Sequence, residues 1–178
     1  MRNMLLEKVE YKIEETPRGV WRRFAYPDGR YFAEFRSNTE VFGMPLLHYT
    51  RGICPETGRR VVARGFVAVG RLAVGVIAIG QASAGVIAFG QASIGIVLSL
   101  AQAGAGLLAV GQLAAGVLLG LGQFATGITA IGQLAAGQYV LAQLGFGQYL
   151  WTPDRADPLA VQHFQALWDA IRDLGPGR

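Results

Sequence analysis

Gly75-Val76-Ile77-Ala78-Ile79-Gly80-Gln81-Ala82-Ser83-Ala84 is a pair of five-residue units, each opened by glycine, and its reading decides the fold. Outward from it, glycine stands at 65, 70, 75, 80, 85, 90 and 95, at 106, 111 and 116, and at 122, 127, 132 and 137. The frame slips by one residue twice and otherwise holds. A second rhythm, with one beat to every two pentads, overlies it at Arg71, Gln81, Gln91, Gln102, Gln112, Gln123, Gln133 and Gln143. Periods this regular mark stacked supersecondary units.

Helix is a poor reading of these pentads. A five-residue step turns an α-helix by roughly 140°, so the glycines would wander around it instead of lining one face. Residues 65 to 150 hold 18 glycines. Each would cost a helix interior about 0.5 to 1 kcal/mol against alanine. Strand alternation fits better and predicts that the third and fifth positions point inward: Val67 and Val69, Leu72 and Val74, Ile77 and Ile79, Ile87 and Phe89, Leu108 and Val110. Glycine would sit at the corners, where bends between short strands ask for unusual backbone angles.

The second position alternates between polar and apolar from one pentad to the next, which predicts a coil with four pentad sides. Gln81, Gln102, Gln123 and Gln143 would stack on one side, and Arg71, Gln91, Gln112 and Gln133 on the opposite one. The two remaining sides would carry Phe66, Val86, Leu107 and Ile128, and Val76, Ile96 and Val117. The expected fold is therefore all-β, a quadrilateral β-solenoid of about four coils, each of roughly 20–21 residues. Three regions follow: a β-rich N-terminal cap at 1–64, the glycine-pentad solenoid at 65–150, and a C-terminal capping helix at 151–178.

Charge is confined to the ends. From Leu72 to Pro153 there is no Lys, Arg, Asp or Glu, whereas residues 1 to 71 hold 13 basic and 8 acidic side chains, and the tail from Asp154 holds 3 and 4. Eighty-two uncharged residues could supply about four helical membrane spans of roughly 20 residues, but with almost nothing left for loops. A polytopic helical membrane protein is the alternative. Cys54 is the only cysteine, which leaves no disulfide framework and no cysteine-rich zinc site. The apolar run within Met1-Arg2-Asn3-Met4-Leu5-Leu6-Glu7-Lys8 is too short for a signal peptide core, so no export is expected.

The stretch from Gly65 to about Leu150 resembles pentapeptide-repeat proteins, although it lacks their Ala-Asp/Asn-Leu pentads. That resemblance implies a right-handed quadrilateral β-solenoid. Phe42-Gly43-Met44-Pro45-Leu46-Leu47-His48, followed by Ala63-Arg64-Gly65-Phe66-Val67-Ala68-Val69-Gly70, is similar to an uncharacterised bacterial group. In that group a short β-rich segment leads into apolar glycine pentads, and the resemblance implies no activity.

In the cap, Trp21 to Tyr26 and Tyr31 to Phe35 flank Pro27-Asp28-Gly29-Arg30, a hairpin turn signal, and a second strand pair is expected through Val41 to Tyr49. In the tail, Asp157-Pro158 reads as an N-cap and first turn. Ala160, Phe164, Leu167, Ile171 and Leu174 then recur at helical spacing up to Gly175-Pro176.

Chemical motifs are scarce. Gly104-Ala105-Gly106-Leu107-Leu108-Ala109 spells a dinucleotide fingerprint, yet no acidic residue lies between Glu56 and Asp154 to hold a ribose. His48 and His163 lie in apolar or amphipathic runs, where a hydrogen-bonded structural histidine is the ordinary finding. A pairing of His48 with Glu56 or Asp28 has no support in the sequence. Arg18, Arg22, Arg23, Arg30, Arg36 and Arg51 alternate with aromatic residues in a manner that permits stacking on single strands. Eight acids among the same residues make a solvated hairpin the commoner result.

These readings converge on a non-enzymatic structural or assembly module with no cofactor, no metal and no catalytic residue. Its expected partner is a membrane surface or an apolar protein, and a homo-oligomer is a further arrangement to expect. Nucleic acid is not favoured, and a nucleic-acid-binding or catalytic cap on an inert solenoid is the remaining alternative. Phe66, Val86, Leu107, Ile128, Val76, Ile96 and Val117 form the candidate lipid or partner face; Arg59, Arg60, Arg64 and Arg71 are the candidate contacts to an anionic surface. The expected location is the cytoplasmic side of the membrane, with the soluble cytoplasm as the alternative.

Overall fold

In the computed structural model of the chain, residues 9–173 are described. The Met1–Lys8 segment, Leu174 and the Gly175-Pro176 stop signal fall outside them. The protein is all-β with one C-terminal helix. Seven strands form one sheet in chain order, beside a separate two-stranded ribbon. Packing divides the chain into two compact units, Met1–Ile96 and Val97–Arg178.

The first unit opens with an antiparallel meander of β1 (Lys12–Thr16), β2 (Gly19–Ala25) and β3 (Tyr31–Ser37). The β2–β3 turn is the expected one. Gly29 takes φ of 82°, the Tyr26 amide donates to the Arg30 carbonyl at 2.8 Å, and Asp28 Oδ1 accepts from the Arg30 amide. The second expected strand pair is the ribbon of β4 (Glu40–Val41) and β5 (Met44–Pro45). Phe42 and Gly43, at φ of 52° and 73°, form its turn. Then β6 (Leu47–Arg51) pairs antiparallel with β3 and parallel with β7 (Ala63–Val69).

Parallel pairing continues from β7 into β8 (Leu72–Thr152) with Ala63 opposite Ala73, Gly65 opposite Gly75 and Val69 opposite Ile79. Drawn out straight, 81 residues would reach about 270 Å. Instead the chain returns alongside itself every ten residues: Gly80 lies against the carbonyl of Gly70, Gly85 against that of Gly75, and Gly90 against that of Gly80. The second unit repeats the relation at intervals of ten or eleven, with Gly111 on Ala101, Gly122 on Gly111, Gly132 on Gly122 and Gly147 on Gly137.

This interval corrects the expected coil. The return is half the expected length, so two pentads, not four, separate neighbouring strands. The role given to glycine also changes. Of the pentad glycines only Gly127 has a positive φ, at 157° and close to extended, so left-handed bends are not the reason for them. At Gly75 a Cβ would meet the carbonyl oxygen of Gly65 on the adjacent strand. The close approach of two backbones is what excludes a side chain there.

The interior of the repeat differs from expectation: the fourth pentad position is buried, not the third and fifth. Ala68, Ala73 and Ala78 in the first unit, and Ala109, Ala114, Ala125, Ala130 and Ala135 in the second, are 0–2% exposed. All occupy the fourth pentad position. Val67, Ile77, Ile87 and Leu108 are only half-buried, and Leu72, Val74 and Ile79 are exposed. A ten-residue return brings the two pentads back to back, and the gap between them is filled mainly by alanine and serine, with Val140 the one branched side chain buried in that position, near the end of the repeat. Ser83 fits the same slot and donates its hydroxyl to the Phe89 carbonyl at 3.0 Å.

The second unit ends in a hairpin, β9 (Arg155–Ala156) against Trp151 and Thr152, and then α1 (Pro158–Asp173). The Asp157 carbonyl accepts the first helical bond from Val161. Its side chain does not cap the helix. It accepts from the Leu150 amide at 2.8 Å and from Arg155 Nε at 2.9 Å, and these donors hold its carboxyl below the usual range.

Candidate functional site

Because small side chains fill the interior, the large aliphatic ones form the surface of the repeat. In the first unit Gly65, Gly75 and Gly85 are in register, which sets Phe66, Val76 and Val86 side by side. These belonged to two separate expected sides; a ten-residue return merges them into one column. All three are half-buried, while Ile96 is 68% exposed. In the second unit Gly127 lies on Gly116, so Ile128 stands beside Val117. Leu107, Val117 and Ile128 are all exposed, Val117 by 59%.

The glutamines merge in the same way. In the first unit Arg71, Gln81 and Gln91 follow Gly70, Gly80 and Gly90, and Arg71 Nε donates to Gln81 Oε1 at 2.7 Å. In the second, Gln102, Gln112, Gln123 and Gln133 follow the stacked Ala101, Gly111, Gly122 and Gly132. Each unit therefore carries one amide column, and the division into two opposite sides is corrected. Arg59, Arg60, Arg64 and Arg71 are all exposed, and none makes an ion pair among the described residues.

Part of the aliphatic surface of the second unit is covered from within by α1. Ala160 and Phe164 are buried. His163 stacks on Tyr139 with centroids 4.1 Å apart, and Nε2 meets Thr129 Oγ1 at 2.8 Å. Beyond Phe164 a cleft of about 630 Å³ opens between Leu121, Ile131, Leu141 and Trp151 on the strands and Trp168 on the helix. Trp168 and Ile171 remain 67% and 54% exposed. His163 is thus a docking residue, as an amphipathic setting suggests.

The cap holds the ionisable clusters. His48 is 3% exposed. Its Nδ1 accepts from the Arg64 amide at 2.8 Å, and Nε2 donates to Glu34 Oε1 at 3.1 Å. Both ring nitrogens are thereby committed, so none is left for proton transfer to a substrate. The partner is Glu34, not Glu56 or Asp28. Glu34 also accepts from Arg22 at 2.6 Å. The bond from His48 and then that from Arg22 overcome burial and hold the Glu34 carboxyl at about 2. Nothing in the sequence signalled this triad, because its members come from three strands.

Cys54 is buried beside Tyr11, whose hydroxyl lies 3.6 Å from the sulfur. Burial pushes the thiol up, but that contact and the bonds from Thr57 and Glu56 outweigh it and bring the thiol below its usual value. Burial and Cys54 together push the Tyr11 phenol up. Enclosure keeps the sulfur from outside reagents. No group of three His, Cys, Asp or Glu among the described residues could hold a metal ion.

No family model, curated protein or solved structure matches the chain. Among the described residues no helix is long and apolar enough to cross a membrane. The long uncharged stretch, which on length alone had room for several helical spans, is extended throughout.

Proposed function

We propose that the chain is a non-enzymatic β-solenoid that serves as an assembly module, its outward aliphatic side chains resting on a membrane surface or on an apolar protein partner. One observation carries this reading. Ala68, Ala78 and Ala130 are fully buried, whereas Ile94, Ile96, Val117 and Phe124 are 66%, 68%, 59% and 52% exposed. Taking a large aliphatic side chain fully out of water contributes about 1.5 to 3 kcal/mol, and an alanine methyl less than about 1 kcal/mol. A chain that keeps the larger contribution outside gains it only when something covers that surface.

The ten- and eleven-residue returns within each unit support a solenoid of two pentads per coil. The exposed Arg59, Arg60 and Arg64 suit an anionic leaflet, which favours the cytoplasmic side. Flotation with phosphatidylcholine vesicles, with and without phosphatidylserine, tests the lipid reading. Light scattering of the lipid-free chain tests association through the same surface. Either flotation that weakens in an Ile96→Ser, Val117→Ser double variant, or a mass several times that of the monomer, is the expected result. A monomer that stays at the bottom of both gradients defeats the proposal.

A further inference from the structure

The register of the cap sorts its aromatic and basic residues in a way their order along the chain conceals. Trp21 on β2 stands opposite Phe35 on β3, and Phe35 stands opposite Tyr49 on β6. Three aromatic side chains therefore form one straight row across three strands, on one face of the sheet. The Trp21 ring lies 5.0 Å from that of Phe35 and 6.0 Å from that of Tyr49, centroid to centroid, with the planes inclined by 45° and 63°. Rings tilted in this way touch by their edges, not face to face, although Arg23 already covers one face of Trp21. All three are half-buried and line a groove of about 530 Å³ together with Arg18, Leu47 and Val69.

The same face is basic. The neighbouring row, two residues along each strand, is Lys12, Arg23, Ala33 and Arg51. Arg23 lies over the Trp21 ring at 4.5 Å, and Arg51 over the Tyr31 ring at 4.8 Å. Glu14 is the carboxylate of this face. It stands opposite Trp21 and pairs with Arg23 at 2.9 Å. Among the paired strand residues of this face, with Arg18 of the β1–β2 turn added, four cations stand against one carboxylate. Two other acids that sequence composition set against these arginines lie elsewhere. Glu34 points to the opposite face with Arg22 and His48, and Asp28 closes the β2–β3 turn with Arg30.

We propose that the Trp21–Phe35–Tyr49 row is a stacking platform for single-stranded nucleic acid, with Arg18, Lys12, Arg23 and Arg51 receiving its phosphates. Aromatic faces accept any base, and arginine and lysine beside them track a backbone, so the site binds without reading sequence. A neutral sugar could also lie on the rings, but it would leave the surrounding positive charge unanswered.

The test is fluorescence anisotropy of labelled oligo-dT and oligo-U of about twelve nucleotides with the full chain, at 50 and 200 mM salt. With about three phosphates neutralised, the affinity should fall roughly 20-fold across that range, from a slope near −0.7 per contact. Tyr49→Leu should weaken binding at least about tenfold. Trp21→Phe keeps a ring in place and should bind while losing part of the fluorescence quenching. Arg18→Glu with Lys12→Glu, both at exposed positions, should flatten the salt dependence without unfolding the cap. No retention of either oligonucleotide at 50 mM overturns the proposal. So does binding that a folded Tyr49→Leu leaves unchanged, or capture of a neutral glucan in place of the oligonucleotides.

Discussion

Arg71 Nε donates to Gln81 Oε1 across 2.7 Å, ten residues further along the chain and one strand away. The bond ties side chains that a four-sided coil would have placed on opposite sides. It is the side-chain counterpart of the backbone approach beside it, where Gly80 lies against the carbonyl of Gly70. A methyl group at Gly80 has nowhere to go but into that carbonyl. Gly80→Ala should therefore destabilise the protein by about 1 to 3 kcal/mol in urea unfolding, while Ala82→Ser on the exposed surface next to it stays within about 0.5 kcal/mol. Equal stability of the two variants would refute the ten-residue return.

The alanine-filled interior makes an opposite pair of expectations at adjacent positions. Ala78 is fully buried and Ile79 is 42% exposed. Ala78→Leu should cost about 1 to 3 kcal/mol because the gap between pentads cannot widen locally. Ile79→Ala, ordinarily the damaging change in a core, should cost under about 1 kcal/mol. Denaturant midpoints of the two variants decide the matter, and the reverse order would return the branched side chains to the inside.

Acid should loosen the cap through Glu34. Its carboxyl is held at about 2 against an ordinary 4.5, first by the bond from His48 and then by that from Arg22. A depressed folded value means that the unfolded chain takes up the proton first on acidification. The stabilisation is therefore complete above about pH 4.5 and is lost as pH falls toward about 2. On the order of 2 kcal/mol is at stake, allowing for screening by solvent. In Glu34→Gln the slope across the same window should be smaller in a pH series of thermal unfolding, and neutral stability lower. A wild-type slope retained in that variant would assign the acid sensitivity to other carboxyls.

The hold of α1 on its strands rests on few contacts. Phe164 is 5% exposed, with the Trp151 ring centroid 6.3 Å away, and the neighbouring His163 stacks on Tyr139 at 4.1 Å. Phe164→Ala should cost about 3 to 5 kcal/mol if the helix stays bound. With no disulfide to retain it, release is the easier course. Limited proteolysis should then cut between Pro153 and Pro158 in the variant and spare the parent. Thr129→Val removes only the bond to His163 and should cost about 0.5 to 1.5 kcal/mol. Helix release by Thr129→Val and not by Phe164→Ala would show that the polar contact, not the ring, fastens it.

Much of the fold is legible in the residues alone. A glycine every five residues is incompatible with helix and compatible with strand, because helical rotation scatters such a period while extended chains align it. The Pro27-Asp28-Gly29-Arg30 turn and the helical spacing from Ala160 to Ile171 are local signals of the same kind. Each depends on neighbours within a few positions, and each is found where it was read. The size of the coil and the direction of its side chains are not local. Ten and twenty are both multiples of five, so the repeat cannot choose between two and four pentads per return. That choice also fixes whether alanine or valine fits inside.

The candidate sites follow the same rule. Exposure of Ile96, Val117 and Ile128 was legible, since strand alternation turns the second pentad position outward. Their arrangement into single columns was not, because it depends on the return interval. Trp21, Phe35 and Tyr49 lie well apart along the chain, and only antiparallel register brings them into a row. The bond of His48 to Glu34 has the same origin. Sequence by itself determined that this chain is extended, glycine-spaced and charged only at its ends, since those properties follow from each residue's own chemistry. Tertiary structure alone decided what faces what, because strands acquire an inside, a partner and a row only when paired with segments far along the chain.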